Sequence, residues 1–187
     1  MGKLKQVRMC GLGGQGIILA GTVLGHAAIL DGKWVAASNH YGAAARGGTC
    51  RAEVVISEER IVYPLVIKAD ILIAMSQSAY ELYIEDVKVQ GGIVIYDAQL
   101  VTPRDVVGLK QIGIPATSKV IEEFDNKQIA NMAMLGATVK LTGVVSSSAL
   151  VAAVETNVES TYRVLNLKAV ESGLKLGEMA NKNGSRR

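Results

Sequence analysis

"KQVRMCGLGGQGIILAG", Lys5 to Gly21, decides the fold. Lys5 to Cys10 alternates in character and runs into glycine, the pattern of a strand entering a turn. Beyond the glycines the apolar residues are nearly continuous as far as Leu30, and Gly21 and Gly25 stand four apart on one face. That spacing predicts a buried helix with a flat side for close approach. Gly11, Gly13 and Gly16 occupy the G-x-G-x-x-G frame, in the strand–turn–helix context that the frame requires. Gly11 is then expected to make the tight turn, and Gly13 and Gly14 to let a ligand or a partner's backbone approach. Gln15 and Gly16 open the helix and would offer unpaired N–H groups and a positive dipole end to an anion.

A nicotinamide site usually has an acid at the end of the second strand for the ribose hydroxyl. The second strand reads "WVAAS", Trp34 to Ser38, and its end is Ala37-Ser38-Asn39-His40, with no acid and no arginine for a 2′-phosphate. The frame therefore argues for a nucleotide-like scaffold and against a nicotinamide cofactor. A purely structural turn and a loop that holds an anion both remain open.

The rest of the chain continues the alternation of strand and helix. "CRAEVVIS" reads as a half-exposed third strand, "ADILIAMS" and "IVIYD" as buried parallel strands, and "QIGIPAT" as the last strand, with Pro115 near its end. "QSAYELYIEDVK" reads as a short amphipathic helix and "NKQIANMAMLGATVKLTGVV" as a long one. "SSSALVAAVETN" opens with serines that can cap a helix, and "VESTYRVLNLKAVESGLKLGEMA" is the final one. The expected fold is a single α/β domain over residues 1–187, a mainly parallel Rossmann-like sheet with helices on both faces and a frayed tail at 181–187.

Composition narrows the function. The 187 residues are 49 % hydrophobic and 20 % charged, with a net charge of +3. Small aliphatic residues at this density suit helices packed on a parallel sheet. No basic stripe interleaved with aromatics suggests nucleic acid. No run reaches the length of a membrane span and no signal peptide precedes the first strand, so a cytoplasmic chain is expected. Two cysteines, Cys10 and Cys50, are too few for a disulfide framework or a self-contained zinc or iron–sulfur site. No catalytic triad can be assembled around the two histidines, His26 and His40.

The unusual segment is "NHYGAAARGGTCRAEVVIS", Asn39 to Ser57. Between Gly42 and Gly48 the only long side chain is Arg46, flanked by Gly47 and Gly48. Its guanidinium suits a phosphate or carboxylate, and the glycines remove steric competition; a salt bridge to a partner subunit or to Glu53 is the structural alternative. Arg51 is read as pairing a surface carboxylate, and His26 as a core or interface residue. Ser76, Gln77 and Asp97 follow strand ends, where an open α/β sheet lines its ligand crevice; Ser76 could equally cap a helix. Met132 and Met134 are two apart and so not on one helical face, and at least one is expected at a subunit interface.

Five segments occur in a telling order: "GLGGQGIILAG", "HYGAAARGG", "IVYPLVIKADILIAMSQSAYELY", "GGIVIYDAQLV" and "ANMAMLGATVKLTGVV". Together, over roughly Val7 to Leu176, they resemble the gamma subunit of the 2-oxoacid:ferredoxin oxidoreductases, the pyruvate, 2-oxoglutarate and ketoisovalerate group, and most nearly its 2-oxoglutarate branch. Members of that branch usually read S-Y-G-P-E-A-R-G-G in the loop; here Ala43 and Ala44 replace Pro and Glu, and His40 precedes Tyr41. The histidine is faintly similar to the loop of the indolepyruvate group.

The resemblance implies a complex that oxidatively decarboxylates a 2-oxo acid with coenzyme A as co-substrate and ferredoxin as electron acceptor. It implies alpha and beta subunits, and in some members delta, with thiamine diphosphate, Mg2+ and iron–sulfur clusters held by those subunits and none by this chain. The gamma subunit is then a non-redox part supporting alpha, either at the coenzyme A entrance or as a purely structural piece. The candidate ligand-facing residues are Gly11, Gly13, Gly14, Gln15, Gly16, Arg46, Gly47, Gly48, Ser76 and Gln77, with no catalytic residue and no metal ligand.

Overall fold

A computed structural model describes residues 4–42 and 48–184. Six strands form one sheet in the order β2-β3-β1-β4-β5-β6. They are β1 (Lys5–Leu12), β2 (Trp34–Tyr41), β3 (Thr49–Ser57), β4 (Ile71–Ala74), β5 (Ile93–Asp97) and β6 (Lys110–Ile114). β1, β4, β5 and β6 pair in parallel, while β3 runs antiparallel to both β1 and β2. The sheet is thus mainly parallel, as expected, with one reversed strand wedged into it.

Among the described residues six α-helices accompany the sheet: α1 (Ile17–Leu30), α2 (Gln77–Tyr83), α3 (Ala116–Phe124), α4 (Ala130–Thr142), α5 (Ser147–Asn157) and α6 (Ser160–Gly184). The two faces are unequal. Val7, Met9, Val54, Ile56, Ile71, Ile73 and Ile95 share the main core with α1, α3, α4, α5 and α6. Cys10, Leu72, Ala74 and Val94 meet only α2, the turn after it and the segment following β5. Alternation in β1 explains the split: Val7 and Met9 face one layer, Arg8 and Cys10 the other.

The flat side of α1 is used as its sequence suggests. A Cβ on Gly21 would collide with that of Ala52 in β3, and one on Gly25 would sit 3.5 Å from Val35 Cγ1 in β2. Helix α1 therefore covers the antiparallel pair at close range. Asp31, just past the end of α1, accepts hydrogen bonds from the backbone N–H and hydroxyl of Ser146, both at 2.6 Å. Ser146 Oγ in turn accepts from Ala149 N, so the expected serine cap of α5 is present and tied to α1.

Several sequence expectations are corrected. Strand β3 is not half-exposed: Glu53, Val54, Val55 and Ile56 are all buried, because β1 and β2 flank it and residues 61–66 cover its second face. β1 continues to Leu12 and pairs Gly11 with Cys50, so Gly11 lies in the ladder and the turn comes after it. The last strand stops at Ile114, and Pro115 precedes helix α3, which accommodates a proline because the first helical N–H groups lack internal partners. The long helix is α4 alone, ended by Gly143 at φ 60. Met132 and Met134 are both fully buried, so neither reaches an interface. Helix α4 is enclosed on all sides between the sheet and α6, so residues two apart both find core neighbours.

Candidate functional site

The sheet gathers the singled-out segments at one edge, the carboxyl ends of β1, β4 and β5. After Leu12 the chain turns through Gly13 to Gly16, with Gly14 at φ 93 and Gly16 at φ 69. Both angles lie in the region that glycine enters without steric cost. Gly16 is the residue before α1, so the first N–H groups of the helix open beside the turn. A Cβ on Gly16 would overlap the amide of Asn131, which is buried and donates to the Gly16 carbonyl at 2.9 Å.

The second glycine segment begins and ends at the same place. Gly13 N donates to the Gly48 carbonyl at 3.1 Å, and Gly42 N donates to the Thr49 carbonyl at 2.8 Å. Close backbone approach at Gly13 is thus met by the chain's own Gly48. Arg46 and Gly47 lie outside the described residues; of the two residues flanking their segment, Gly48 borders the glycine turn and Gly42 pairs with Thr49 beside it.

Gln15 ties this edge together. Its Oε1 accepts from Leu12 N and its Nε2 donates to the Met75 carbonyl, each at 2.7 Å. The side chain therefore joins the ends of β1 and β4 rather than standing free at the helix start. Ser76 is buried and its hydroxyl accepts from Ala79 N, capping α2. Gln77 holds the segment after β5, accepting from Thr102 N at 2.7 Å and donating to the Thr102 carbonyl at 3.2 Å and to Glu81 at 2.8 Å. Asp97 is fully buried and accepts from Gln99 N, Thr117 N and Thr117 Oγ1.

Beside the turn a cleft of about 450 Å³ runs between the start of α1, the start of α4 and the junction of α5 and α6. Gly14, Gly16, Asn126, Asn131, Asn157 and Tyr162 are among its lining residues, and among the described residues its only charged one is Glu159. Asn157 Nδ2 lies 2.6 Å from His26 Nδ1, so this histidine bridges α1 and α5.

A buried charge network lies under the middle of β2, β3 and β1, and sequence reading missed it. Arg8 Nε donates to Glu53 Oε1 at 2.7 Å, with both side chains almost wholly enclosed. Arg8 also meets Asp86 at 3.2 Å and the Val66 carbonyl at 3.3 Å. Arg51 Nε is 3.4 Å from Glu53, and His40 Nε2 is 3.7 Å from it. Arg51's carboxylate partner is thus a buried one, not one at the surface. Tyr83 lies beneath both guanidinium groups, at 5.0 Å and 5.4 Å, and its hydroxyl accepts from Arg51 at 3.0 Å. Burial alone would lower the Arg51 pKa; the Tyr83 hydrogen bond and the charges of Glu53, Tyr83 and Asp86 outweigh it and raise it. The available signal was an arginine between Val7 and Met9 and a glutamate within an apolar strand, since buried charges need partners.

Cys10 and Cys50 sit in different apolar clusters, on opposite faces of the sheet. Burial pushes both thiols up; for Cys10 the nearby Arg8 opposes this in part and Cys50 adds to it. Buried protonated thiols on two faces do not fit an iron–sulfur cluster. Among the described residues no group of three or more His, Cys, Asp or Glu could hold a metal ion. None of the described helices is long and apolar enough to cross a membrane.

Comparison with known proteins gives this edge its context. The family described as pyruvate ferredoxin/flavodoxin oxidoreductase matches residues 6–176, which span all six strands and most of α6. The chain belongs to that family. Within it, the chain is 42% identical over 177 residues to 2-oxoglutarate synthase subunit KorC of Methanocaldococcus jannaschii, covering 93% of this chain and 94% of that one. It is 37% identical over 136 residues to ketoisovalerate oxidoreductase subunit VorA of Methanothermobacter marburgensis, 73% of this chain but 28% of that one.

Two solved structures of family members share the fold. The gamma subunit of a keto/oxoacid ferredoxin oxidoreductase from Geobacter sulfurreducens superposes with a TM-score of 0.83 at 36% identity, covering 94% of this chain and 99% of that one. A 2-oxoglutarate:ferredoxin oxidoreductase from Magnetococcus marinus, solved with 2-oxoglutarate, coenzyme A and succinyl-CoA bound, gives a TM-score of 0.84 at 25% identity, covering 95% of this chain and 31% of that one.

Proposed function

We propose that this chain is the gamma subunit of a 2-oxoacid:ferredoxin oxidoreductase whose substrate is 2-oxoglutarate. The carrying observation is the near end-to-end similarity to 2-oxoglutarate synthase subunits, at 42% and 41% identity in two methanogens. The complex would convert 2-oxoglutarate and coenzyme A to succinyl-CoA and carbon dioxide and pass the electrons to ferredoxin. Alpha and beta subunits, with delta where present, would hold the thiamine diphosphate, Mg2+ and iron–sulfur clusters that supply this chemistry. This chain would work in the cytoplasm and hold none of them.

Its own part is proposed at the carboxyl edge of the sheet. Gly13, Gly14 and Gly16 keep side chains away from the start of α1, and the segment carrying Arg46 and Gly47 returns to the same edge at Gly48. An anionic group of coenzyme A would meet helix N–H groups and one guanidinium there. Gly11, Gln15, Ser76 and Gln77 would support that mouth, since their contacts tie the ends of β1, β3 and β4 and the segment after β5.

The test is purification of the tagged chain from its native cell and assay of the eluate with a viologen dye and coenzyme A. Dye reduction with 2-oxoglutarate, exceeding that with pyruvate or branched-chain oxo acids, is expected. A lone chain eluting without larger subunits and without activity would overturn the reading. In the active complex, Arg46→Ala is expected to raise the KM for coenzyme A. An unchanged KM with weakened assembly would make the chain a structural subunit only.

A further inference from the structure

The two edges of the sheet differ in how they are guarded. β6 has five residues, starts with Lys110 and is contacted by α6. β2 has eight, Trp34–Tyr41, and contains no Lys, Arg, Asp, Glu or Pro. A long uncharged edge is a template for pairing with another chain, and charge, proline or brevity is how proteins prevent it. The bond from Gly42 N to the Thr49 carbonyl continues the β2–β3 register. Antiparallel alternation then turns the N–H and C=O groups of Val35, Ala37, Asn39 and Tyr41 outward, away from β3.

A second feature borders this edge. Residues 61–67 form neither helix nor strand. Ile61 and Val66 pack with Ala36 of β2 and Val55 of β3, which fixes the segment over the antiparallel pair. Between them and after them, Val62 is 94%, Tyr63 56% and Ile67 61% exposed. Apolar side chains concentrated in a short exposed segment mark an interaction surface.

The relatives indicate the occupant. Nearly all of this chain, 95%, matches 31% of the Magnetococcus chain, and 73% of it matches 28% of the VorA chain, so there the matched domain is one part of a much longer polypeptide. Covalent linkage supplies a high effective concentration; a separate domain must hold the same neighbour by contacts alone. We propose that β2 and residues 61–67 seat an extended apolar segment of the large partner subunit, the counterpart of the remainder of those longer chains. The partner strand adds to β2, and its apolar side chains cover Val62, Tyr63 and Ile67. This surface rests on the gamma-subunit reading and is distinct from the coenzyme A mouth.

The test is co-expression of the tagged chain with the large subunit of the same cell, followed by affinity purification and measurement of the large subunit retained. Ala37→Pro removes an outward N–H while sparing the bonds to β3. Val62→Asp places a charge on a side chain that the fold leaves in water. Each is expected to lower retention about tenfold or more, as loss of a central interface contact does, with the thermal unfolding midpoint of the free chain unchanged for Val62→Asp. Wild-type retention by both variants would overturn the surface and leave the gamma-subunit reading intact. No retention by the wild-type chain would overturn both. A wild-type homodimer that Ala37→Pro dissociates would assign the edge to a second copy and overturn the proposed occupant.

Discussion

Strand β4 is buried and apolar at every position from Ile71 to Ala74, whereas β3, two strands away, buries Glu53 between Ala52 and Val54. The parallel half of the sheet, β4-β5-β6, lies between α2 on one face and the other helices on the opposite one. The antiparallel half, β3-β2, has α1 on one face; on the other lie only the end of α2 at Tyr83, an irregular segment and charged side chains. A face that only the end of a helix reaches is not sealed by aliphatic side chains alone. Here an ion network helps to close it, and among the described strands β2 is the outermost. Burial of apolar surface holds the first half; matched charges also bear on the second.

The largest expected effect tests that network. Glu53→Leu leaves Arg8 enclosed without its closest carboxylate and is expected to destabilise the fold by about 3 kcal/mol or more. The double variant Arg8→Met, Glu53→Leu is expected to recover most of that, because it removes both charges. Urea unfolding midpoints measure both. A single variant as stable as the wild type would show that the two halves are held alike.

Among the charged anchors of the parallel half is Asp97 at the end of β5. Its three accepted hydrogen bonds, two of them to Thr117, fasten the start of α3. Asp97→Ala is expected to cost about 2 kcal/mol, and a loss equal to that of Glu53→Leu would blur the comparison.

The seam between the halves carries both thiols, on β1 and β3. Burial raises each above its ordinary value of 9.0, so near that pH the unfolded chain releases protons that the folded chain keeps. Stability is therefore independent of these groups below that value and falls as pH rises above it, by at most about 1.4 kcal/mol per pH unit for each thiol. Unfolding midpoints taken from about pH 8 to about pH 10 check the slope, which Cys10→Ala should flatten.

The smallest effect belongs to Ser76→Ala. Loss of the cap on α2 is expected to cost about 1 kcal/mol, read in the same unfolding experiment. A much larger loss would mean that the cap also supports the segment after β5 through Gln77.

The parallel half was legible because its signals are local. "ADILIAMS" and "IVIYD" are apolar runs of strand length, and the glycine spacing of α1 announced a close approach that Ala52 and Val35 complete. Ser146 was legible as a cap because capping needs only the residues next to it. The mouth at the carboxyl edge was half legible: Gly13, Gly14 and Gly16 declared a turn, but the joining role of Gln15 depends on Met75, sixty residues away.

By itself the sequence determined the alternation of strand and helix, the glycine turn after β1 and the family, since periodicity and motif spacing are properties of neighbouring residues. Tertiary structure alone decided that β3 runs backwards between β1 and β2, that Glu53 meets Arg8 across 45 positions, and that β2 is the outermost strand. The direction and neighbours of a strand are chosen by pairing between distant segments. An alternating run reads the same whether its partner is parallel or antiparallel, one strand away or two.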